Sequence, residues 1–103
     1  MNPEPTILKK LDDLIEANLD NPDFALTADC QKLGVSRSQL HRMLIEETQL
    51  STTLYIRKKR LEKAKILLST TNLRISEITD AVGISSHANF SKYFIEEFNI
   101  SPR

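Results

Sequence analysis

Two short stretches of this chain concentrate side chains that can form hydrogen bonds with the edges of base pairs. Arginine can donate two hydrogen bonds to guanine, asparagine can bond adenine in a similar paired way, and serine and histidine can bond base edges or phosphates. The first stretch contains Arg37, Ser38, His41 and Arg42, and the second contains Ser86, His87, Asn89, Ser91 and Lys92. We therefore take these residues as candidate DNA contacts.

The two stretches lie within a sequence repeat. Residues 34–51 read GVSRSQLHRMLIEETQLS, and residues 83–101 read GISSHANFSKYFIEEFNIS. Each copy begins with glycine, an aliphatic residue and serine, contains IEE, and ends with an aliphatic residue and serine. The turns and apolar positions repeat, whereas the polar candidates differ. This pattern indicates two copies of one folding unit. Each copy is expected to contact a different part, or half-site, of a DNA target.

Helical spacing of apolar residues predicts the elements that position these candidates. It predicts a first helix over about 6–19, a short helix ending near Leu33, a helix from a Ser36 cap to about Glu47, and a long helix over about 51–69 that buries Leu54, Leu61, Ala64 and Leu68. A second short pair follows, with its turn at Gly83 and its second helix anchored by Phe90, Tyr93, Phe94 and Phe98. The prediction is an all-α fold of six or seven helices, in which these aromatic residues form core.

Two short helices joined by a tight glycine turn are the layout of the helix-turn-helix, whose second helix enters the DNA major groove. This layout needs a small residue where the two helices cross. Cys30 and Thr79 occupy that place, each four residues before a glycine. Both glycines also have aliphatic residues on either side. The sequence therefore predicts two helix-turn-helix units.

The charge of the chain is zero overall but is unevenly distributed. Residues 37–65 hold eight Lys or Arg and three Asp or Glu, whereas residues 1–36 hold three and seven. A basic segment is typical of a polyanion-binding surface. The basic run 57–60 covers a full helical turn, so we expect some of it to contact phosphate and some to pair with Glu62 or Glu46.

Motifs for other chemistry are missing from the sequence. The glutamate pairs 46–47 and 96–97 are adjacent, and adjacent helical residues point about 100° apart, so neither forms a catalytic pair. His41 and His87 lie in separate segments without a cysteine or carboxylate cluster, so no metal site is expected. No phosphate-binding glycine loop or nucleophile motif occurs. We therefore expect neither an enzyme nor a cofactor.

The expected location is the cytoplasm, in association with the nucleoid. The start of the chain, MNPEPTILKKLDDL, lacks a signal-peptide pattern, and no apolar run is long enough to span a membrane. The single Cys30 cannot form an internal disulfide, which fits a reducing compartment.

Three segments together resemble the DNA-binding domain of AraC/XylS-type transcription regulators. They are GVSRSQLHRML, IRKKRLEKAKILL and ISEITDAVGISSHANFSKYFIEEFNISP. The resemblance runs from about Asp23 to Arg103. It implies a seven-helix domain that binds double-stranded DNA through two helix-turn-helix units, joined by a central helix and inserted in successive major grooves. It also implies a longer regulator with an effector or sensor domain outside this chain, and RNA polymerase as a candidate partner.

The resemblance assigns roles and boundaries within the chain. It places Ser38, His41, Arg42, His87, Ala88, Asn89, Ser91 and Lys92 against bases, and Arg37 and Ser86 at the DNA backbone. The subdomains are 1–50 and 70–103, with a linker helix over 51–69. A helix of about 19 residues spans about 28 Å, close to the roughly 34 Å between successive major grooves.

The sequence departs from the family pattern at three places. Asp29 stands where an apolar residue is expected, and Arg74 stands where a serine or threonine cap is common. The chain also stops at Arg103, where the family continues with an aromatic and basic tail; an engineered or disordered end would account for this. The alternative function is a helical protein-interaction module that does not bind DNA, which the zero net charge and acidic first third favour.

Overall fold

The computed structural model describes residues 7–22, 24 and 26–102, and this part of the chain contains six helices and no strand. The helices are α1 (Ile7–Ala17), α2 (Leu26–Leu33), α3 (Arg37–Thr48), α4 (Thr52–Thr70), α5 (Ile75–Ala81) and α6 (His87–Phe98). The predicted all-α class is confirmed. The expected helix start at Thr6 and the expected effect of the Asp29 side chain lie outside the described residues.

The chain divides into two compact units. Unit 1 contains α1, α2, α3 and the first five residues of α4, and unit 2 contains residues 19–22, the rest of α4, α5 and α6. The helix α4 is thus continuous in the chain, but its first five residues pack in unit 1 and its remaining residues pack in unit 2. Each unit contains one helix-turn-helix.

Unit 1 encloses a core built mainly from leucines. Within it, α1 packs against α2, and α2 packs against α3. The buried core residues are Leu11, Ile15, Cys30, Leu33, Leu40, Leu44 and Tyr55. The hydroxyl of Tyr55 donates a hydrogen bond to Asp12 Oδ1, which fastens the start of α4 to α1. Burial of Cys30 agrees with its predicted place at the helix crossing.

Unit 2 has an aromatic core. The helix α5 packs against α6, and the buried apolar residues are Leu19, Leu61, Ala64, Ile78, Val82, Ile84, Phe90 and Phe94. The Phe90 and Phe94 ring centroids are 5.7 Å apart, and those of Phe94 and Phe98 are 4.7 Å apart. Phe90 and Phe94 have almost no exposed surface, so they are core residues, as predicted, and cannot stack on bases.

The predicted buried side of α4 is correct only in the middle of the helix, since Leu68 near its end is half-buried. Leu61 and Ala64 are buried as predicted, but Leu54 is 40% exposed, and its neighbour Tyr55 is buried instead. The prediction assumed one apolar stripe along the whole helix. Because the first five residues pack in unit 1 and the rest in unit 2, a single stripe does not describe this helix.

The helices α3 and α6, the second helices of the two helix-turn-helix units, both begin at a serine cap and end at a left-handed residue. The Ser36 hydroxyl accepts a hydrogen bond from the Gln39 backbone N–H, and the Ser86 hydroxyl accepts one from the Asn89 N–H. Such caps each stabilise a helix by about 1 kcal/mol. At the other end, Gln49 and Asn99 have positive φ angles of 61° and 59°. The two helices are therefore started and stopped in the same way.

The start of α5 is capped by a glutamate in its first turn and not by the side chain of the cap residue. Arg74 occupies the cap position with extended backbone angles and makes no side-chain cap bond. The Glu77 carboxylate instead accepts a hydrogen bond from the Arg74 backbone N–H at 3.0 Å. The expected weak cap at Arg74 is therefore present, and Glu77 partly compensates for it.

Arg60 is a buried cation that holds together three parts of unit 2. Its side chain is only 7% exposed. Its guanidinium donates hydrogen bonds to the carbonyl oxygens of Leu19 and Val82, both at 2.6 Å, and of Asn21 at 3.0 Å. Burial lowers the pKa of the Arg60 guanidinium, but arginine stays charged because its ordinary pKa lies far above neutrality.

Val82 is the C-cap residue of α5, so Arg60 also places a positive charge at the negative end of that helix. The bonds to Leu19 and Asn21 attach the segment that follows α1 to the turn of the second helix-turn-helix. One side chain from α4 thus links this turn to the segment that follows α1 through three backbone carbonyls.

Candidate nucleic-acid interface

Both glycine turns have the same backbone conformation. Gly34 and Gly83 have φ angles of 74° and 73°, which favour glycine over residues with a side chain. The Gly34 N–H donates to the Cys30 carbonyl at 2.9 Å, and the Ile84 N–H donates to the Thr79 carbonyl at 3.1 Å. These bonds close the last turn of α2 and of α5, so the chain can reverse into α3 and α6.

All four candidates of the first copy line one open groove of about 990 Å³ in unit 1, which we call the α3 groove. The helix α3 supplies one side of it with the four candidates and three further residues, Leu40, Ile45 and Glu46. Ser51, directly before α4, also lines the groove, as do Thr52, Thr53 and Ile56 at the start of α4. The structure therefore brings the predicted first-copy residues together on one surface.

The two arginines and the histidine of the α3 groove have no side-chain partner within the described part of the chain. No ion pair or hydrogen bond there involves the side chains of Arg37, His41 or Arg42, all of which are exposed. Glu46 adds one carboxylate to the same groove. The groove thus combines two arginines with one acidic group and several hydroxyls, which is a surface suited to bases flanked by phosphates.

The sequence prediction missed several residues that line the α3 groove, among them Ile45, Glu46, Thr52 and Thr53. Ile45 and Glu46 lie three and four residues after Arg42, on the exposed side of the same helix, and this spacing could have identified them. Thr52 and Thr53 begin a different helix. Only the packing of α4 in unit 1 brings them to the groove, so no local sequence pattern identifies them.

The second copy has a longer turn than the first. The Ser36 cap is the second residue after Gly34, whereas the Ser86 cap is the third residue after Gly83. From the caps onward the two helices have the same length and align without an insertion or deletion. Ser86 is therefore the equivalent of the Ser36 cap, and its hydroxyl is used in starting α6.

The remaining second-copy candidates lie on α6. His87, Ala88, Asn89 and Lys92 are exposed, whereas Ser91 is half-buried. Within the described residues no ion pair involves Lys92 or His87. The structure thus leaves most of this set on the surface of unit 2, with Ser91 less accessible than the others.

Gln39 and Asn89 occupy equivalent positions but differ in their hydrogen bonding. The Gln39 side-chain oxygen accepts a hydrogen bond from the Ser36 backbone N–H at 2.9 Å, completing a capping box. For the described residues, no such return bond is present from Asn89 to Ser86. The amide of Gln39 is therefore engaged in starting its helix, whereas the amide of Asn89 remains exposed.

The residues of the basic run 57–60 are used in different ways. The Arg57 guanidinium lies 4.0 Å from the Tyr93 ring centroid, and Lys59 pairs with Glu62 at 3.8 Å. Arg60 is buried on backbone carbonyls. The predicted pairing with Glu62 is thus present, but Arg60 is unavailable to phosphate. The basic segment presents less charge to a partner than its composition indicates.

The described residues contain neither a candidate metal site nor a candidate membrane span. No three His, Cys, Asp or Glu side chains there come together in a way that could hold a metal ion. None of the helices described combines the length and apolarity needed to cross a bilayer.

Comparison with known proteins identifies related sequences and structures. The family model described as "Helix-turn-helix domain" matches residues 30–103. The chain is 38% identical over 96 residues to histidine kinase P4 of Formosa agariphila, covering 93% of this chain and 7% of that protein. It is 36% identical over 96 residues to the HTH-type transcriptional regulator GbdR of Pseudomonas aeruginosa, covering 93% of this chain and 26% of that protein.

A solved structure has the same fold. It is a transcriptional regulator from Chromobacterium violaceum, described as an AraC-type DNA-binding domain-containing protein. It superimposes with a TM-score of 0.86 at 33% identity and covers 94% of this chain and 86% of its own. The chain thus spans nearly all of that structure but about a quarter or less of the two curated relatives above.

Proposed function

The chain belongs to the AraC/XylS family of helix-turn-helix transcription regulators, and we propose that it recognises an asymmetric DNA site through α3 and α6 in successive major grooves. Binding of DNA in transcription regulation is the function of the domain. The observation that carries the two-helix proposal is the pair of recognition helices with matching caps and different exposed side chains. Two helices with the same caps but different exposed side chains are suited to two different DNA half-sites.

We assign the first half-site to the α3 groove. Arg42 and His41 contact base edges together with Ser38, and Arg37 contacts a phosphate. Two exposed arginines with no partner among the described residues support this assignment, because guanidinium groups bind guanine and phosphate oxygens through paired hydrogen bonds. The hydroxyls of Thr52 and Thr53 line the same groove and suit phosphate oxygens.

We assign the second half-site to α6. Asn89, His87 and Lys92 contact bases, with Ala88 close to them and Ser91 contributing from its half-buried position. The free amide of Asn89 supports its role, because paired hydrogen bonds to adenine need both the oxygen and the nitrogen of the amide. Ser86 lies at the DNA backbone, where its hydroxyl hydrogen can be donated to phosphate while its oxygen caps the helix.

The assigned base contacts predict two separable losses of specificity. Arg42→Ala and Asn89→Ala should each weaken specific binding by roughly 1–3 kcal/mol and relax the preference at different base positions. Titrating each variant against a panel of singly mutated duplexes measures this. Arg74→Ala and Asn72→Ala are matched controls, because these exposed residues lie between α4 and α5 and outside both recognition helices. Full discrimination by both variants would show that the assignment is wrong.

The salt dependence of binding distinguishes DNA recognition from a protein-interaction role. Each neutralised phosphate lowers the logarithm of the binding constant by about 0.9 per unit of log salt concentration. We expect a steep slope for the complete chain and a slope about one unit shallower for Arg37→Ala, measured by fluorescence anisotropy between low and physiological salt. No binding to any duplex pool at low salt would instead favour the helical interaction module.

We also propose that this domain is part of a longer regulator. The chain covers 7% and 26% of the two curated relatives described above, so both are several times longer than this chain. We infer that an effector or sensor domain and contacts with RNA polymerase belong to such a longer regulator. The location that suits this role is the cytoplasm, at the nucleoid. We propose no enzymatic activity and no cofactor for this domain, since its family acts by binding DNA.

A further inference from the structure

The two recognition helices each expose an isoleucine at the same position. Ile45 on α3 is 41% exposed and Ile95 on α6 is 47% exposed. Counting from the serine caps, both are the ninth helical residue. A single exposed aliphatic side chain needs no explanation. Here the same exposure occurs in both copies, although most of the surrounding surface residues differ between them.

Ile45 lies on the same surface as the proposed base contacts. It lines the α3 groove together with His41 and Arg42. Residues three and four apart are neighbours on a helix, so Ile45 follows these two side chains along one face. A rise of about 1.5 Å per residue places it about 4.5–6 Å farther along the helix. That distance corresponds to one or two base pairs, which are about 3.4 Å apart.

An isoleucine in a major groove can gain little from phosphates or from polar base edges. The one apolar group that base pairs present in the major groove is the C5-methyl group of thymine. Two glutamates follow the isoleucine directly in both copies, at 46–47 and 96–97. Their carboxylates disfavour close approach of phosphate at this level of the helix. The isoleucine is therefore better placed against bases than against the DNA backbone.

We propose that Ile45 and Ile95 are specificity residues that each contact a thymine C5-methyl group in their own half-site. This inference rests on the proposed insertion of α3 and α6 into major grooves. It adds an apolar contact to a recognition surface otherwise made of hydrogen-bonding groups. It requires a thymine, on either strand, about one or two base pairs beyond the bases contacted by Arg42 and by Lys92.

The test removes one methyl group at a time from the DNA. A bound duplex is first selected from a random library with the complete chain, and each thymine in it is then replaced by deoxyuridine. Burial of one methyl group is worth a factor of about three to five in affinity. We expect one thymine in each half-site to show this loss and the others to show little. This scan needs no protein variant, so a folding defect cannot obscure it.

Protein variants assign each methyl contact to its residue. Ile45→Ala should bind the thymine and deoxyuridine forms of the first half-site equally, while keeping the methyl dependence of the second half-site. Ile95→Ala should show the reverse. Ile66→Ala is the matched control, because Ile66 is 52% exposed but lies on α4 and does not line the α3 groove. It should retain both methyl dependences.

The outcomes separate this inference from the function on which it rests. If binding depends on salt and on Arg42 but no deoxyuridine weakens it, or if the selected half-sites contain no thymine at the required place, the methyl contact is wrong and DNA recognition stands. If a methyl effect persists unchanged in Ile45→Ala and Ile95→Ala, another residue makes the contact. Failure to bind any duplex contradicts both proposals.

Discussion

Replacing Gly83 by alanine will destabilise unit 2 by about 3–5 kcal/mol, whereas replacing Gly34 by alanine will cost unit 1 about 1–2 kcal/mol. Both glycines have nearly the same positive φ, so alanine is strained to the same extent at each. Their surroundings differ. A Cβ atom on Gly34 meets nothing within 4 Å, but one on Gly83 would overlap the Arg60 guanidinium and the Leu19 carbonyl oxygen.

The extra cost at Gly83 arises because neither neighbour can move away freely. The Arg60 guanidinium is held by three carbonyl groups, and one of them is the Leu19 carbonyl itself. Urea unfolding followed by circular dichroism measures the total loss for each variant. Hydrogen exchange of amides in α3 and in α6 assigns the loss to a unit. Equal destabilisation by the two substitutions would mean that the close approach around Gly83 has no energetic consequence.

Replacing Arg60 by methionine will destabilise unit 2 by about 3–5 kcal/mol, because three carbonyl oxygens lose their charged donor. Methionine retains much of the side-chain volume, so the change reports on hydrogen bonds and charge more than on packing. Arg57→Met is the matched control in the same helix. Arg57 lies over the Tyr93 ring, and loss of that contact costs only about 0.5–1 kcal/mol.

The losses of stability caused by Gly83→Ala and by Arg60→Met should not be additive. Arg60→Met removes one of the two groups that a Cβ atom at residue 83 would overlap, so Gly83→Ala will cost less in the Arg60→Met background than in the original protein. A double-mutant cycle by urea unfolding measures this coupling. Additive losses would indicate that the backbone at Leu19, and not the guanidinium, accounts for the crowding.

The helices and their turns could be predicted from sequence because their causes are local. Gly34 and Gly83 adopt the positive φ that ends a helix, and Ser36 caps α3 as its place before a periodic segment indicates. The four-residue spacing of Leu40 and Leu44 places both on one side of α3, and both are buried. Such features depend on residues within one or two helical turns, which a sequence displays directly.

The features that sequence analysis misassigned depend on contacts between distant segments. Arg60 lies in a basic run that resembles a phosphate-binding surface, yet its acceptors are 22 to 41 residues away in the chain. Leu54 and Tyr55 are both plausible core residues, and only packing in unit 1 selects Tyr55. The same reason applies to Thr52 and Thr53 in the α3 groove.

The matched ends of the two recognition helices have a consequence for protein engineering. From the Ser36 cap to Gln49, and from the Ser86 cap to Asn99, the segments have equal length, the same type of start and the same left-handed stop. The difference in turn length lies entirely before the caps. The exposed positions of the segments 36–49 and 86–99 therefore correspond one to one. On the half-site assignment proposed above, a chimera that carries the exposed residues of either segment twice, with the native turns and buried residues kept, should bind a target with two identical half-sites.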